Sequence, residues 1–497
     1  MNDQAIQLPS YITSATPNPA ERRAAWYKNT APTYAGIFLW FVFWQDAAKA
    51  NSLGGALSQG LWLALGSLVL AALVCHYLFY LVPGLFGLRT GLPLYIVGTS
   101  TFGAQGGFIM PGFLMGVLQF GWLGVNVCFS SLALAEVIPV DAKIIMVVWG
   151  LLAAFVGLKG IQYVAKVATY LPLIPLVILI WLFVKTASGL GSFDPASFIQ
   201  TQKDLGPTVP SQLGAFGVIA AVLTYVVGFF ATAGAAGVDF GTNSRDKNDV
   251  SMGGLIGIAL AIILTAGLSM CVVAGAFGSQ DLGPKVKATA AATVEKAEKD
   301  ADDAAKKEGK ALTDKEKNDI INGTSHEALC RSTSLIKVVL SDKLAGILMF
   351  LLALAAFPGA CFSSFIAANS FKTVMPKVNP FISVGLGAAL SIILAVTGLA
   401  GKVIPVFVII GASFGPICGA MMVDYLLSKG TWTGPRSGFN PAGWIAWGLG
   451  FVVGILPNLG VDVPAAPVAA FIVGAVVYFI CAKAGLQSAV IPMPEKK

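Results

Sequence analysis

The chain has 497 residues, of which 56% are apolar and 11% charged, and its mean hydropathy is +0.77. This composition excludes an ordinary soluble domain, and the net charge of +7 comes without the basic, aromatic-interleaved patches of nucleic-acid-binding proteins. Scattered cysteines, two histidines and the absence of HExxH and GxSxG motifs argue against a disulfide framework, a zinc site and a hydrolase. We therefore expect a membrane protein that is not an enzyme, needs no cofactor and binds no nucleic acid.

Apolar runs long enough to cross a lipid bilayer recur along the chain, because about 20 helical residues span its core. Twelve are predicted, near residues 33–50, 57–83, 107–135, 142–160, 163–187, 212–235, 252–277, 341–369, 379–398, 403–427, 441–457 and 465–484. Most Lys and Arg of the short loops fall on one side, and the positive-inside rule makes that side the cytoplasm. The prediction is an all-α polytopic protein of the cell membrane (inner or plasma), with both termini, 1–32 and 485–497, in the cytoplasm.

The first span carries polar side chains near its end, Gln45, Asp46 and Lys49. A carboxylate at membrane depth is costly and is a functional candidate by default. Asp46 is therefore a candidate for coupling transport to an ion. The alternative is that the hydrocarbon region ends near Trp44, which would leave Asp46 in the interface.

In the third span, "LQFGWLGVNV", Gln119, Trp122 and Asn126 are three and four residues apart, so a helix places them on one side. An indole offers a flat stacking surface, and a primary amide can pair with an N–H/C=O edge. This pattern suits a planar polar ring. The alternative is that these side chains join neighbouring helices.

The sixth span is rich in glycine, which favours either an unwound helix or close helix packing. Its small residues include Gly228 and Gly234, and the loop that follows offers Asp239 and Arg245 as candidates for gating. A solvated loop is the alternative for this last pair.

The eighth span contains Pro358-Gly359, which predicts a break or kink, and one turn later Ser363 and Ser364. Hydroxyls and freed carbonyls are oxygen ligands that suit a hard cation such as sodium. The alternative is that the serines bond back to their own helix.

A polar segment, about 279–340, interrupts the apolar pattern between the seventh and eighth spans. Its core, "KVKATAAATVEKAEKDADDAAKKEGK", favours a solvated helix outside the membrane. A partner-binding role for this segment remains open, but no obligate protein partner is evident.

Three motifs in order resemble the nucleobase:cation symporter family, to which cytosine permeases and hydantoin transporters belong. They are "FGAQGGFIMPGFLMGVLQFGWLGVNV", "GFFATAGAAGVDF" and "GAMMVDYLLSKG", and the resemblance extends over roughly residues 20 to 485 outside the 279–340 segment. It implies a leucine-transporter-like fold, in which five helices (33–187) are repeated inverted (212–427) and two more follow (441–484). It also implies alternating access driven by Na⁺ or H⁺.

The resemblance further assigns roles to individual residues. Trp122 and Phe230 would sandwich the ring of a purine, pyrimidine, hydantoin or allantoin-like substrate, and Gln119 would pair with its edge. The complete substrate-binding set is Gln119, Trp122, Asn126, Phe229, Phe230 and Thr232. Sodium would lie between the carbonyls of Leu39 and Phe43 and the hydroxyls of Ser363 and Ser364. An amino-acid or amine transporter of the same fold is the alternative, because Asp46 suits a cationic substrate.

Overall fold

The computed structural model describes residues 8–50, 52–159, 162, 170–206, 211–307, 309, 311–374 and 377–493. These residues form helices, and their only strand-like pairings are isolated bridges such as Ala24 with Ser244. Residue 160, at the end of the predicted fourth span, and residues 163–169, at the start of the fifth, lie outside the described residues.

The main helices follow one another along the whole described chain. They are α1 (Thr30–Leu39), α2 (Phe41–Gln45), α3 (Leu61–Thr90), α4 (Phe108–Ala135), α5 (Ala142–Lys159), α6 (Leu173–Ser192), α7 (Ala215–Ala235), α8 (Gly237–Gly241), α9 (Lys247–Gly278), α10 (Gly283–Lys307), α11 (Asp314–Cys330), α12 (Asp342–Val374), α13 (Pro380–Val396), α14 (Val403–Leu427), α15 (Pro441–Leu459) and α16 (Ala466–Lys483). Short helices include Ser10–Thr13, Leu94–Val97, Thr99–Phe102, Pro195–Leu205 and Ile336–Val339.

Ten helices within the described ranges, α3 to α7, α9, α12 and α14 to α16, are long and apolar enough to cross a membrane. The predicted spans 33–50 and 379–398 are outside this group. The first is divided into the short helices α1 and α2, and the second is the 17-residue helix α13.

The first span breaks at Trp40, without a glycine or proline at that position. Trp40 has extended backbone angles (φ −61°, ψ 122°), which end α1 and start α2. The break leaves carbonyls without helical donors, and side chains supply them. The Nε1 of Trp44 donates to the carbonyl of Leu39 at 3.1 Å, and the hydroxyl of Tyr225 donates to the carbonyl of Phe43.

Glycines in the sixth span serve close packing more than unwinding. Helix α7 is continuous through Gly228 and Gly234, and its interruption comes only at Ala236. A Cβ added at Gly228 would lie 2.6 Å from the carbonyl oxygen of Phe407, so this glycine lets α7 approach α14. Helix α12 likewise continues through Pro358, where the sequence predicts a break or kink.

Two groups of helices surround the site. Helix α4 packs against α5, α12 and α13, whereas α14 packs against α7, α15 and α16. The described residues of the segment 279–340 are mostly helical, in keeping with its composition, and α10 and α11 pack against each other. Phe229 of α7 and Phe407 of α14 both contact Trp122 on α4, so the two groups meet at this face of α4.

Candidate functional site

The indole of Trp122 lies where α4, α7 and the break in the first span meet. Its ring centre is 5.0 Å from that of Phe229 on α7, 5.6 Å from Phe407 on α14 and 6.0 Å from Trp40 at the break. Its Nε1 is 3.3 Å from the hydroxyl of Thr232. The structure thus brings together three residues of the predicted substrate-binding set, and it adds Trp40 and Phe407.

Phe230, the predicted second face of the sandwich, has other aromatic neighbours. It stacks on Phe38 of α1 with ring centres 5.7 Å apart, and it lies 5.9 Å from Tyr34. The hydroxyl of Tyr34 donates to the carbonyl of Ala233 at 2.8 Å, which ties α1 to the end of α7. Consecutive residues of a helix point in directions about 100° apart, so Phe229 faces Trp122 while Phe230 packs against α1.

The amides of α4 make contacts on either side of Trp122. Gln119 is buried, and its Nε2 lies 3.7 Å from the sulfur of Met115, one turn earlier. The Nδ2 of Asn126 donates to the carbonyl of Ala356 on α12 at 2.9 Å, and its Oδ1 accepts from the hydroxyl of Ser130. Asn126 therefore holds α4 against α12 in this structure, which is the helix-joining role that its sequence context left open.

The predicted cation ligands have several contacts of their own. The carbonyls of Leu39 and Phe43 accept hydrogen bonds from Trp44 and Tyr225, respectively. The hydroxyl of Ser364 is 3.3 Å from the carbonyl of Ala360 in its own helix, so it bonds back to that helix. A carbonyl has two lone pairs, so one accepted bond does not exhaust it.

The serines occupy a tightly packed part of α12. Both Ser363 and Ser364 are buried. A Cβ added at Gly157 of α5 would lie 2.8 Å from the Cβ of Ser364, so this serine packs against α5. The sodium site between these serines and the carbonyls of the first span stays a prediction.

Asp46 is fully buried and bound to a guanidinium group. The Nε and Nη2 of Arg331 lie 2.7 and 3.1 Å from the two carboxylate oxygens of Asp46. Arg331 also pairs with Glu327 at 3.1 Å, and Glu327 pairs with Lys49 at 3.1 Å. We call Asp46, Lys49, Glu327 and Arg331 the Asp46 cluster, which ties the end of α2 to the end of α11.

Only a weak signal in the sequence points to this cluster. Arg331 is the only arginine between Arg245 and Arg436, and it follows a segment whose basic residues are all lysines. Arginine is the residue that binds carboxylates bidentately. An isolated arginine beside a span therefore pointed to a carboxylate partner, although not to Asp46 in particular.

The loop after α7 pairs its charges locally. The Nε of Arg245 binds the carboxylate of Asp249 at 2.7 Å, whereas a carboxylate oxygen of Asp239 accepts from the backbone N–H of Leu94 at 3.0 Å. Asp239 and Arg245 thus have different partners, so the structure does not pair the two gating candidates with each other.

Known proteins place this fold and sequence in one family. The family described as "Permease for cytosine/purines, uracil, thiamine, allantoin" matches residues 17–288, more than half of the chain. The cytosine permease of Escherichia coli (strain K12) is 28% identical over 238 residues, which are 46% of this chain and 51% of that protein. The chain therefore matches about half the length of this relative.

Solved structures of a hydantoin-binding transporter share the overall fold. Mhp1, a nucleobase-cation-symport-1 family transporter, in a closed conformation with bromovinylhydantoin bound, has a TM-score of 0.58 and 13% identity, and the match covers 95% of this chain and 96% of Mhp1. Mhp1 in the inward-facing conformation gives 0.59 and 14%, over 97% and 96%. These structures support the fold, and the sequence match supports the family. The chain therefore belongs to the family of permeases for cytosine and purines, uracil, thiamine and allantoin, which is a family of membrane transporters rather than enzymes.

Proposed function

We propose that this protein is a secondary active transporter, which imports a nucleobase or related planar N-heterocycle together with a cation by alternating access. The observation that carries the proposal is the position of Trp122, held between Phe229 and Thr232 of α7 and next to the break at Trp40. A flat aromatic surface beside an amide, at a broken helix, suits a ring with apolar faces and a polar edge.

The architecture that we propose is twelve transmembrane helices with a 5+5 inverted repeat and two further helices. The repeats are 33–187 and 212–427, the latter with the outside segment 279–340, and helices 11 and 12 are 441–484. Support comes from corresponding positions in the two repeats. The first span is interrupted at Trp40 and continues in the short helix α2, and the sixth span is followed, after Ala236, by the short helix α8.

In the described conformation, aromatic side chains occupy the surroundings of Trp122. We propose that a substrate ring enters by displacing the edge of Phe229, after which Gln119 turns from Met115 to pair with the ring. Stacking on an aromatic side chain contributes about 1–3 kcal/mol per base in nucleic-acid complexes, which sets the scale for this contact. Phe230 and Asn126 border the site in this proposal, the first from the side of α1 and the second from the side of α12.

For the coupling ion, we propose sodium at the carbonyls of Leu39 and Phe43 and the hydroxyls of Ser363 and Ser364, with proton coupling through Asp46 as the alternative. The bidentate contact with Arg331 favours sodium, because the guanidinium already binds both oxygens of the Asp46 carboxylate. The same contact weakens the case for an amino-acid or amine transporter, since Asp46 already has a cationic partner.

Uptake of radiolabelled heterocycles tests the proposed function. Uracil, cytosine, hypoxanthine, allantoin, hydantoin and a set of amino acids compete in one assay, and we expect a heterocycle to compete best. Trp122→Ala should abolish saturable uptake and Trp122→Phe should retain part of it. Trp62→Ala is the matched control, because Trp62 is 85% exposed on α3 and should have no effect. Unchanged kinetics in Trp122→Ala would contradict the stacking role.

A second pair of variants tests the ion. Replacing both Ser363 and Ser364 by alanine should remove sodium stimulation of uptake while leaving weak substrate binding, because ion and substrate sites are coupled reciprocally. If protons drive transport instead, Asp46→Asn should remove the pH dependence and the serine changes should have little effect. Ion dependence that is unchanged in both variants would refute this placement of the cation.

A further inference from the structure

A cavity of about 290 Å³ lies below the predicted substrate site, at the end of the molecule where the sequence predicts the cytoplasm. Met115 of α4 lines it, and Met115 is also the residue that Gln119 contacts. The cavity therefore begins one helical turn from the amide that is proposed to bind substrate. Its volume is near the lower end of the roughly 300–1,000 Å³ found for small-molecule sites.

The walls of this cavity combine flat apolar surfaces with polar groups. Tyr95 and Phe108 provide rings, whereas Asp239 of α8 and Ser370 of α12 provide a carboxylate and a hydroxyl. Tyr11 packs against both rings, at 6.2 and 4.7 Å between ring centres, which holds this aromatic wall in place. Apolar surfaces with a few convergent polar groups are typical of ligand sites.

Asp239 also borders a second cavity of about 360 Å³, which the residues Thr16 to Pro19, Arg22 and Thr242 line. The side chain of Asp239 is exposed to these two spaces. One carboxylate oxygen accepts from the backbone N–H of Leu94. An ionised carboxylate offers about four acceptor positions, so it has capacity for a ligand as well.

We infer that the 290 Å³ cavity is a second binding site, in which Asp239 accepts a hydrogen bond from a ring N–H of the transported heterocycle. The inference rests on the proposed function, because it assigns the same class of substrate to a second position. Tyr95, Phe108 and Met115 contact the faces of the ring there. Asp239 separates this site from the second cavity, so it is the last side chain that the ring contacts before that cavity.

Protection of an introduced thiol tests the site in the full-length purified protein. Ser370→Cys places a thiol in the cavity, and the rate of its reaction with N-ethylmaleimide is measured against the unmodified chain as blank. Uracil, cytosine, hypoxanthine, hydantoin and allantoin are added one at a time, and their equilibrium binding to the unmodified chain is measured separately. The Trp122→Ala variant gives the dissociation constant of the cavity, because it lacks the other proposed site. At ten times that constant, a heterocycle that occupies the cavity should slow labelling about tenfold, because mass action leaves about one cavity in eleven empty.

Three controls distinguish occupancy from other causes of protection. Adding Asp239→Leu to Ser370→Cys should remove the protection, because leucine has a similar size but no hydrogen-bond acceptor, and 1,3-dimethyluracil, which has no N–H, should give none. Adding Trp122→Ala should leave protection in place, because it disables only the proposed substrate site at Trp122. Ile366→Cys, on the same wall of the cavity, is the second reporter if Ser370→Cys does not fold.

The outcomes separate this inference from the proposed function. A heterocycle that binds without slowing labelling overturns the second site and leaves the proposed function standing. Protection that survives Asp239→Leu, disappears with Trp122→Ala or is produced by sodium chloride alone also overturns it. If none of the five heterocycles binds the unmodified chain, the proposed function fails, and the second site fails with it.

Discussion

Two buried carboxylates, Asp46 and Asp424, are stabilised in different ways. Asp46 is 0% exposed and faces the guanidinium of Arg331, with both oxygens in contact at 2.7 and 3.1 Å. Asp424, on α14, is 2% exposed and accepts from the hydroxyls of Ser100 and Tyr478, each at 2.7 Å. A charged guanidinium therefore binds Asp46, whereas mainly neutral hydroxyl donors bind Asp424.

Arg436 lies beside Asp424 but donates mainly to backbone carbonyls. Its Nη2 is 3.8 Å from the Asp424 carboxylate, whereas its Nε and Nη1 donate to the carbonyls of Ser100 and Ser488 at 2.9 Å each. We call Asp424, Ser100, Tyr478 and Arg436 the Asp424 cluster. Its hydrogen bonds join α14, the short helix Thr99–Phe102, α16 and the segment after α16. Several of these bonds would have to break before the elements could move apart.

In the Asp46 cluster, the buried carboxylate is bound by one side chain, Arg331. In the Asp424 cluster, several side chains bind the carboxylate. Any movement of α2 relative to α11 must carry the segment around Arg331 or break its ion pair. A second contact reinforces this link, because the hydroxyl of Thr333 donates to Oε1 of Gln45 at 2.7 Å. The broken half of the first span is therefore tied to the end of the 279–340 segment.

The largest expected loss of stability is that of the variant Arg331→Met. It leaves a buried carboxylate without its guanidinium, and removing one partner of a buried ion pair costs about 3–5 kcal/mol. Adding Asp46→Asn should recover part of this loss, because no uncompensated charge remains. Unfolding is followed by a thiol-reactive dye in detergent, since six of the cysteines, including Cys330 and Cys418, are buried in the folded protein. A double variant less stable than Arg331→Met would contradict this account.

Sequence alone predicted much of the helical organisation but not its long-range contacts. Gln119, Trp122 and Asn126 were expected on one helix, and all three are buried in α4. The break at Trp40 was not predictable from glycine or proline, because neither residue stands there. The carbonyl of Phe43, near the end of α2, accepts from Tyr225, which is 182 residues away. The Asp46–Arg331 pair spans 285 residues, and local sequence patterns carry no information about such pairings.

The next largest loss of stability is expected for Tyr478→Phe in the Asp424 cluster. The variant removes one neutral donor to a buried carboxylate, and hydrogen bonds to charged groups contribute about 1.5–3 kcal/mol. Because Ser100 remains in place, the loss should be smaller than that of Arg331→Met in the same dye assay. Tyr77→Phe is the control, since Tyr77 is 49% exposed on α3. A loss equal to that of Arg331→Met would show that the Asp424 cluster also depends on one residue.

Glu327→Gln should have a smaller effect, although it touches the same Asp46 cluster. The side chain of Glu327 is 42% exposed, and exposed ion pairs contribute about 0–1 kcal/mol. Arg331 keeps its bidentate contact with Asp46 in this variant. Salt should weaken the contribution of Glu327 further, because solvent ions screen exposed charges. A loss comparable to that of Arg331→Met would mean that Glu327, and not Asp46, holds the cluster together.

The smallest expected change in stability concerns a third carboxylate, Asp239. Its carboxylate accepts from the backbone N–H of Leu94 and, unlike Asp46 and Asp424, is not bound by a guanidinium or a set of hydroxyl groups in the described part of the chain. Although it borders two cavities, the surrounding protein deprives it of bulk hydration, and this raises its pKa to about 6, against the opposing hydrogen bond from Leu94. Tyr34 and Tyr95 face it from neighbouring elements, and Arg22 lines the same cavity.

A pKa that is higher in the folded protein than the ordinary 3.8 means that folding favours the protonated carboxyl. Its stabilising contribution is therefore fully present below about pH 4 and is lost as the pH rises to about 6. We expect the unmodified protein to lose a little stability across this interval and Asp239→Asn to lack that loss, because an amide does not titrate. The dye assay is unsuited to low pH, so tryptophan fluorescence follows thermal unfolding at pH values through the interval. Identical pH profiles in the two proteins would show that the Asp239 carboxyl titrates as it does in water, which would contradict the raised pKa.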